Sequence, residues 1–264
     1  MITLIGSGNV ATWIAQRLQG NPRFPITQVF SRHLEHAQTL ADLLNAEAIE
    51  DIRKLNPDNQ IFIFALADKA YDEILPLLPF KLPLAFTTSG TVSCQCLKDY
   101  AEQYGVIYPL QTFTKSQDMR KLEVPLCLEG PMQGPTLPSV GKTSSNSSQQ
   151  MRDLARQLSP LCYEVSEEQR ARMHVAAVFA CNFSNAMYNI AYKLLKERNL
   201  PFEILLPVLR QTVRKVGEMS PAEAQTGPAA RRDFNVMQAQ LASLEDERLR
   251  EIYRMMSEVI MNGE

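Results

Sequence analysis

The stretch ITLIGSGNVATWIAQRL, Ile2–Leu18, decides how the start of this chain folds. The apolar run Ile2–Ile5 is typical of a buried strand, and two glycines follow it at once. Behind the glycines, apolar residues recur at helical spacing from Val10 to Leu18. The pattern predicts a strand, a tight turn and a helix, an arrangement that can hold a phosphate group at the helix N-terminus.

The glycine turn matches the G-x-G-x-x-A form of the fingerprint by which Rossmann-type folds bind dinucleotides. Glycines let the backbone approach a pyrophosphate closely, while the free N–H groups of the following helix point at the anion. The alternative is a turn that only reverses the chain, but the position after the first strand and before the first helix favours dinucleotide binding. The predicted pyrophosphate site consists of Gly6, Ser7, Gly8, Asn9, Val10 and Ala11.

Composition and charge limit the possible partners and the compartment. With 264 residues, of which 45% are hydrophobic and 21% charged, the chain is expected to fold compactly. A net charge of -2 gives no field that would gather nucleic acid or an anionic membrane. We find no apolar run of roughly 18 residues, no targeting segment and no zinc-type spacing among the five cysteines. The sequence therefore predicts a cytoplasmic protein that binds neither nucleic acid nor membrane and holds no metal.

The order of the predicted elements indicates an α/β fold followed by an all-α domain. Short apolar runs alternate with helical segments through the first half, which is typical of a parallel sheet covered on both faces. A stretch rich in Gly, Pro and Ser at 130–148 predicts a surface loop. We predict a Rossmann domain at 1–165 and a helical substrate or dimerisation domain at 166–264. The helices expected in the second domain lie near 167–198, 202–219 and 234–261.

The end of the second predicted strand, VFSRH, indicates which dinucleotide binds. Cofactors without a 2'-phosphate are usually held there by an acidic residue, which this chain lacks. Ser31 and Arg32 instead offer a hydroxyl and a guanidinium, which suit a 2'-phosphate. The sequence thus favours NADP over NAD. The alternative for Arg32 is a solvated surface cation.

Small and hydroxyl-bearing residues follow two further predicted strands. In parallel sheets, ligands lie beyond the carboxyl ends of the strands, where these residues would meet a cofactor. Asp68, beside them, could equally cap the next helix. The predicted cofactor contacts at these ends are Ala67, Thr88, Ser89 and Gly90.

A polar stripe marks an otherwise apolar segment of the helical part, HVAAVFACNFSNAMYNIAYKLL. At about 100° per residue, His174, Asn182, Asn185 and Asn189 fall within an arc of about 80°. Asparagine is a poor helix former, and a buried unpaired amide costs about 1 to 3 kcal/mol, so we expect a polar group to meet this stripe. The alternative is that these side chains only tie neighbouring loops together.

The segment TGPAARRD, Thr226–Asp233, also has two interpretations. A glycine-proline break and an aspartate that caps the last helix would be structural. Adjacent arginines at a tight turn could instead clamp a carboxylate or phosphate. On the second interpretation, Gly227 and Arg231 are candidate substrate contacts, and Asn185 of the polar stripe is a further candidate.

On the motifs GSGNVA, TSG, YPLQTF, HVAAVFACNFSN and TGPAARRD, the chain resembles a family of Rossmann-like proteins whose C-terminal helical domain has no assigned function. That family in turn is similar to pyrroline-5-carboxylate reductase, ketopantoate reductase and the deazaflavin-linked NADP oxidoreductases. The resemblance implies an NADP-dependent oxidoreductase acting on a small carbonyl, imine or hydroxy compound held between two domains, with dimerisation through the helical domain. Related hydroxy-acid dehydrogenases place a lysine and a nearby asparagine on the corresponding helix, where this chain has His174 and Asn182.

Three functional hypotheses follow from these features. In the first, His174 gives or takes a proton during hydride transfer and Asn182 positions the substrate. In the second, the protein is a sensor or scaffold that binds NADP(H) without chemistry. In the third, it is a structural helical dimer with a degenerate nucleotide fold that binds no cofactor. The fold alone does not separate them.

Overall fold

The computed structural model describes residues 1–115, 118–130 and 146–263. They form two compact units, Met1–Phe183 and Ser184–Glu264. The division falls later than the domain boundary predicted at 165/166, because the helical residues 167–183 cluster with the sheet. Residues 131–145 of the predicted loop at 130–148 lie outside the described part of the chain.

One sheet organises the first unit. In the described residues it has eight strands, β1 Ile2–Ile5, β2 Ile26–Phe30, β3 Glu47–Ile49, β4 Ile61–Phe64, β5 Leu82–Thr87, β6 Ala101–Pro109, β7 Leu126–Glu129 and β8 Cys162–Glu164. Their order in the sheet is β3-β2-β1-β4-β5-β6-β7-β8. Neighbouring strands are parallel except for the antiparallel pair β6 and β7. The α/β prediction is confirmed, although it did not include β3, β7 or β8.

Alternation along the central strands builds a core on each face of the sheet. In β4, Ile61 and Ile63 join one apolar cluster while Phe62 and Phe64 join the other, as the two-residue period of a strand requires. Buried on both faces, such a strand is apolar throughout, which is why the short apolar runs predicted a covered parallel sheet. The helices of this unit are α1 Asn9–Leu18, α2 Leu34–Leu44, α3 Tyr71–Ile74, α4 Asn146–Leu158 and α5 Glu167–Ala177, followed by a π-helical turn, Val178–Phe183.

The described part of the second unit is helical, as the sequence predicts. The helix expected over 234–261 is in fact two helices, because Leu244 adopts an extended conformation and Asp246 caps a new helix with its carboxylate. Such a short break is invisible in the hydrophobic periodicity, because apolar residues continue at helical spacing after it. The helices are α6 Ser184–Lys196, α7 Leu206–Glu218, α8 Pro221–Ala224, α9 Phe234–Ser243 and α10 Glu247–Asn262.

Candidate active site

A cleft lies in the first unit where the carboxyl ends of β1, β4 and β5 meet α5. We call it the strand-end cleft; its volume is about 330 Å³. It brings together seven of the predicted cofactor contacts and the predicted catalytic histidine. The lining residues are Gly8, Asn9, Val10, Ala65, Leu66, Ala67, Asp68, Thr88, Ser89, Gly90, Thr91 and His174.

The two glycines of the opening turn serve different purposes. Gly6 has a φ of 122°, and a Cβ there would lie 2.2 Å from the carbonyl oxygen of Ala65, so this position requires glycine for the close approach of β1 to β4. Gly8 has an ordinary φ of -77°. A Cβ on Gly8 would meet no heavy atom within 4 Å. Glycine at this second position leaves free space in the cleft and is not required by the fold.

Helix α1 begins at this turn with its N-terminus uncovered. Gly8 is the capping residue and supplies no side chain, and the first turn carries no acidic residue. The first N–H groups of a helix lack intrahelical partners and favour an anion. Ala11 is fully buried, which lets the helix pack closely on the sheet. The Asn9 side chain is held at the edge of the cleft by donating to the Phe113 carbonyl at 2.8 Å.

The end of β2 lies beside the glycine turn but outside the lining of the strand-end cleft. The hydroxyls of Ser7 and Ser31 are 2.9 Å apart, which links the glycine turn to β2, and Ser31 is buried. Arg32 is exposed and pairs with the exposed Glu73 at 2.9 Å. An exposed pair contributes about 0 to 1 kcal/mol, so the guanidinium can leave Glu73 for a stronger anion at little cost.

The loops after β4 and β5 hold each other through hydroxyl groups. The Asp68 carboxylate accepts from Ser89 Oγ at 2.8 Å and from the Thr91 hydroxyl. Thr88 donates its hydroxyl to the carbonyl of Phe64, at the end of β4, at 3.1 Å. Asp68 is therefore a tie between two loops, and neither it nor any other side chain caps the short helix that follows. Thr88 and Ser89 are buried, so these hydroxyls fix the shape of the cleft.

Helix α5 is attached to this loop by a buried cation. Arg170, which is 1% exposed, donates Nε–H to Glu129 at 2.8 Å and an Nη1–H to the carbonyl oxygen of Ser89 at 3.1 Å. Nη2 of the same guanidinium is buried without a hydrogen-bond partner in the described residues. A capping box formed by Ser166 and Gln169 fixes the start of α5. Residue 174 follows Arg170 by one helical turn and so projects on the same side.

His174 meets two residues from neighbouring strand ends. Its Nδ1 lies 2.9 Å from the hydroxyl of Tyr108, the next-to-last residue of β6. Gly90, in the loop after β5, lies against both rings, and a Cβ there would lie 2.6 Å from Nδ1 and 2.8 Å from the Tyr108 ring. Burial raises the pKa of Tyr108 to about 12. The predicted catalytic residue is therefore part of a packed group whose tyrosine the sequence interpretation missed.

A second cavity in the first unit, of about 700 Å³, adjoins His174 on the side of β6 and α5; we call it the helix-side cavity. It contains both predicted catalytic residues, His174 and Asn182. The polar residues Gln111 and Thr112 also line it, and the rest of its lining is largely apolar. The lining residues are Tyr108, Leu110, Gln111, Thr112, Phe113, Met173, His174, Ala176, Ala177, Val178, Ala180, Cys181 and Asn182.

The prediction of a single polar stripe from His174 onward assumes an uninterrupted α-helix, and this assumption is wrong. The spacing of about 100° per residue holds only for an uninterrupted α-helix. The π-helical turn Val178–Phe183 lies inside the segment and winds the chain differently. Asn182 and Asn185 are exposed, whereas His174 is half-buried. π-helical turns are frequent at functional sites.

The second unit holds the remaining substrate candidates. Gly227 has a φ of 111°, a conformation that favours glycine, and lines a mostly apolar cavity of about 340 Å³ within this unit. Asn185 and Arg231 are exposed and do not line that cavity. Asp233 accepts from the backbone N–H of Val236 and caps α9, which confirms the structural interpretation of this residue.

The described residues show neither a metal cluster nor a membrane span. No three His, Cys, Asp or Glu side chains within them lie close enough together to hold a metal ion. None of the described helices is long and apolar enough to cross a membrane.

Near Arg170, burial and the neighbouring Glu129 raise the pKa of the Cys94 thiol to about 12, so this sulfur is a thiol at neutral pH.

The fold defines a protein with a Rossmann-type sheet and a helical C-terminal part. A protein of Bacteroides fragilis described as a "putative NADP oxidoreductase" is 36% identical, with a TM-score of 0.85, over 99% of this chain and 97% of that one. The chain belongs to the family of this protein, which confirms the predicted resemblance to Rossmann-like oxidoreductases. Residues 140–260 match a family model described as a domain of unknown function, DUF2520. No curated protein matched the chain.

More distant structures share the fold. A Thermotoga maritima protein is 18% identical with a TM-score of 0.70, over 100% of this chain and 98% of that one. Pyrroline-5-carboxylate reductase from Streptococcus pyogenes is 17% identical with a TM-score of 0.63, over 99% of this chain and 98% of that one. At such identities the likeness concerns the fold alone.

Proposed function

We propose that the protein is an NADP-dependent oxidoreductase that transfers a hydride to or from a small carbonyl, imine or hydroxy compound. The observation that carries the proposal is the strand-end cleft, which has an uncapped glycine turn at one side and His174 at the other. The Bacteroides relative, described as an NADP oxidoreductase, supports the same class of reaction.

The residues of the cleft fit a dinucleotide. The free N–H groups of α1 and the open space beside Gly8 suit a pyrophosphate, with Gly6, Ser7, Asn9, Val10 and Ala11 shaping the turn. Ala67 and the loop Thr88–Gly90 would flank the nicotinamide end. The bound cofactor would supply or accept the hydride.

The preference for NADP over NAD would come from the end of β2. Ser31 and the guanidinium of Arg32 can both donate to a 2'-phosphate, and the exposed pair with Glu73 is weak. The polar contacts of a ribose without the phosphate would be fewer, because no acidic residue stands at this strand end.

In the proposed reaction, His174 gives or takes the proton and Asn182 orients the reacting oxygen or nitrogen of the substrate. Both residues line the helix-side cavity, and His174 also lines the strand-end cleft. The largely apolar lining suits a substrate whose remaining surface is uncharged. We assign Asn185, Gly227 and Arg231 to further substrate contacts.

A sensor that binds NADP(H) without chemistry is the alternative function. Such a protein needs no polar group at the nicotinamide end of its cofactor site. The position of His174 in the lining of both cavities favours the enzyme.

We further propose that the protein is a homodimer formed through its helical part. Large apolar side chains of the second unit are exposed, among them Met255 at 65%, Val213 at 63% and Phe234 at 58%. Large apolar side chains that are exposed in such number favour a protein interface. A second copy of the chain would cover it.

The test of the cofactor proposal is a paired titration of the purified protein with NADPH and NADH. Binding is followed by thermal shift and by the fluorescence of Trp13, the one tryptophan of the chain, which lies on α1 behind the glycine turn. We expect saturable binding of both, with NADPH bound about 10-fold or more tightly because of charge-assisted hydrogen bonds to its 2'-phosphate. Binding of neither nucleotide would contradict the proposal.

A glycine variant locates the binding. Gly8→Ala places a methyl group in open space at the N-cap of α1, so we expect the free energy of unfolding to fall by no more than about 1 kcal/mol while NADPH binding weakens by about 10-fold. Gly217→Ala is the matched control, because a Cβ there also meets nothing within 4 Å and lies on exposed α7. Equal NADPH affinity in the two variants would place the cofactor elsewhere.

A further inference from the structure

Tyr108 is a site residue that the sequence patterns do not single out, although it begins the motif YPLQTF. In the parallel register of β5 and β6, Thr87 is opposite Val106, so Tyr108 is level with Ser89 at the edge of the strand-end cleft. The ring lies 5.9 Å from the imidazole of His174, measured between centroids. The Tyr108 side chain is therefore in direct contact with the imidazole of His174.

Packing fixes the relative position of the two rings. Gly90 lies against both, and there is no room for a Cβ between them. Arg170, one helical turn before His174, donates to the Ser89 carbonyl in the same loop. This hydrogen bond ties α5 to the loop next to the two rings, so the 2.9 Å contact between the Tyr108 hydroxyl and Nδ1 is part of the packed structure.

The donor of this hydrogen bond depends on the tautomer of His174, and the available protein acceptors favour Tyr108 as that donor. A phenol with a pKa of about 12 keeps its proton at neutral pH. Within the described residues, Nδ1 of His174 is the one acceptor at hydrogen-bond distance from the Tyr108 hydroxyl. If the phenol accepted from an Nδ1–H instead, its own proton would have no protein partner. When Tyr108 donates to Nδ1, the phenol proton is hydrogen-bonded to a protein acceptor.

We propose that Tyr108 is a positioning residue that fixes the tautomer of His174, with the imidazole proton on Nε2. A neutral histidine carries one proton, and the bond made by one ring nitrogen determines the state of the other. Nε2–H is then the group that donates to the reacting oxygen or nitrogen of the substrate. The consequence for catalysis rests on the proposed function, whereas the tautomer itself does not.

The experiment is nuclear magnetic resonance of protein labelled with ¹⁵N-histidine, recorded at about pH 8.5, about two units above the ordinary pKa of histidine. Long-range ¹H–¹⁵N correlations distinguish a protonated ring nitrogen from a bare one. The chain has three histidines, and a His174→Gln variant assigns the signals of the third. In the wild type we expect a single form of His174 with Nε2 protonated and Nδ1 bare.

Two tyrosine variants test the cause. Tyr108→Phe keeps the ring against Gly90 and removes the hydroxyl, so His174 should become a mixture of tautomers. Tyr104→Phe is the matched control on β6, because its hydroxyl pairs with Gln95 at 3.2 Å, and it should leave the wild-type pattern unchanged. A thermal unfolding midpoint equal to that of the wild type shows that the variants are folded, because His33 and His36 are exposed and do not report on the core.

The possible results separate this inference from the proposed function. A protonated Nδ1 in the wild type, or a Tyr108→Phe spectrum identical to the wild type, would overturn the role of Tyr108. A fixed Nε2–H tautomer that is lost in Tyr108→Phe supports it, even if no nucleotide binds in the titration above.

Discussion

The two units of this chain differ in how far their polar side chains are paired and their apolar side chains are buried. At the strand ends of the first unit, hydroxyls, a carboxylate and a buried guanidinium are paired with one another, as in the contacts of Asp68 with Ser89 and of Arg170 with Glu129. In the second unit the candidate residues Asn185 and Arg231 are exposed, and large apolar side chains such as that of Met255 face solvent.

This difference shows how far the contacts within each unit determine the surroundings of its side chains. In the first unit the position of His174 follows from contacts made entirely among residues 1–183. The second unit leaves apolar area uncovered, which costs about 25 cal/mol for each Å² that remains in water. Its final surroundings therefore depend on the partner that we propose, a second copy of the chain.

The largest expected effect tests the anchoring of the first unit. Arg170→Met leaves Glu129, which is 7% exposed, as an unpaired buried charge and also removes the donor to the Ser89 carbonyl. Removal of one partner of a buried pair costs about 3 to 5 kcal/mol, so we expect a loss of that size in the free energy of unfolding. Urea denaturation of the variant and the wild type measures it.

Two companion variants define the origin of this loss. Arg172→Met removes an exposed cation two residues away on α5 and should change the free energy of unfolding by less than about 0.5 kcal/mol. The double variant Arg170→Met/Glu129→Leu removes both buried charges and should recover much of the stability. A loss below about 1 kcal/mol in Arg170→Met would mean that this pair does not anchor the helix.

The first unit was largely predictable because its signals are local. The strand, the glycine turn and α1 are adjacent in sequence, and parallel strand ends meet at one edge, so Gly8, Ala67 and Gly90 could be placed together. Tyr108 has no such local signal, because its position level with Ser89 depends on the register between β5 and β6. Arg170 was missed because a charged residue near the start of a helix is usually solvated, and its burial depends on Glu129, 41 residues earlier.

In the helical part, periodicity predicted the elements but not their interruptions. A π-helical turn and the break at Leu244 each change the direction of later side chains, and neither has a marker such as proline or glycine. The predicted face of His174 and the asparagines assumed regular winding, and the structure corrects it.

The next effect in size compares one candidate residue from each unit. His174→Ala removes the proposed proton donor, so we expect the turnover number to fall by about 100-fold while NADPH affinity is unchanged. Asn185→Ala removes a proposed substrate contact in the second unit, so we expect mainly a higher KM, by about 10-fold. Steady-state kinetics with a substrate found by screening small carbonyls and imines measures both. Turnover unchanged in His174→Ala would exclude this residue from the mechanism.

The smallest effect concerns the exposed apolar surface of the second unit. Met255→Gln keeps the length and helix propensity of the side chain and removes its apolar character. In a monomer, a side chain that is 65% exposed contributes little, and the free energy of unfolding should change by less than about 0.5 kcal/mol. If a second copy covers it, the dissociation constant of the dimer should rise by about fivefold, which sedimentation equilibrium measures, with Glu251→Gln on α10 as control. A wild-type protein that sediments as a monomer would mean that this surface is uncovered by a second copy, and the contrast between the two units would then require a different partner.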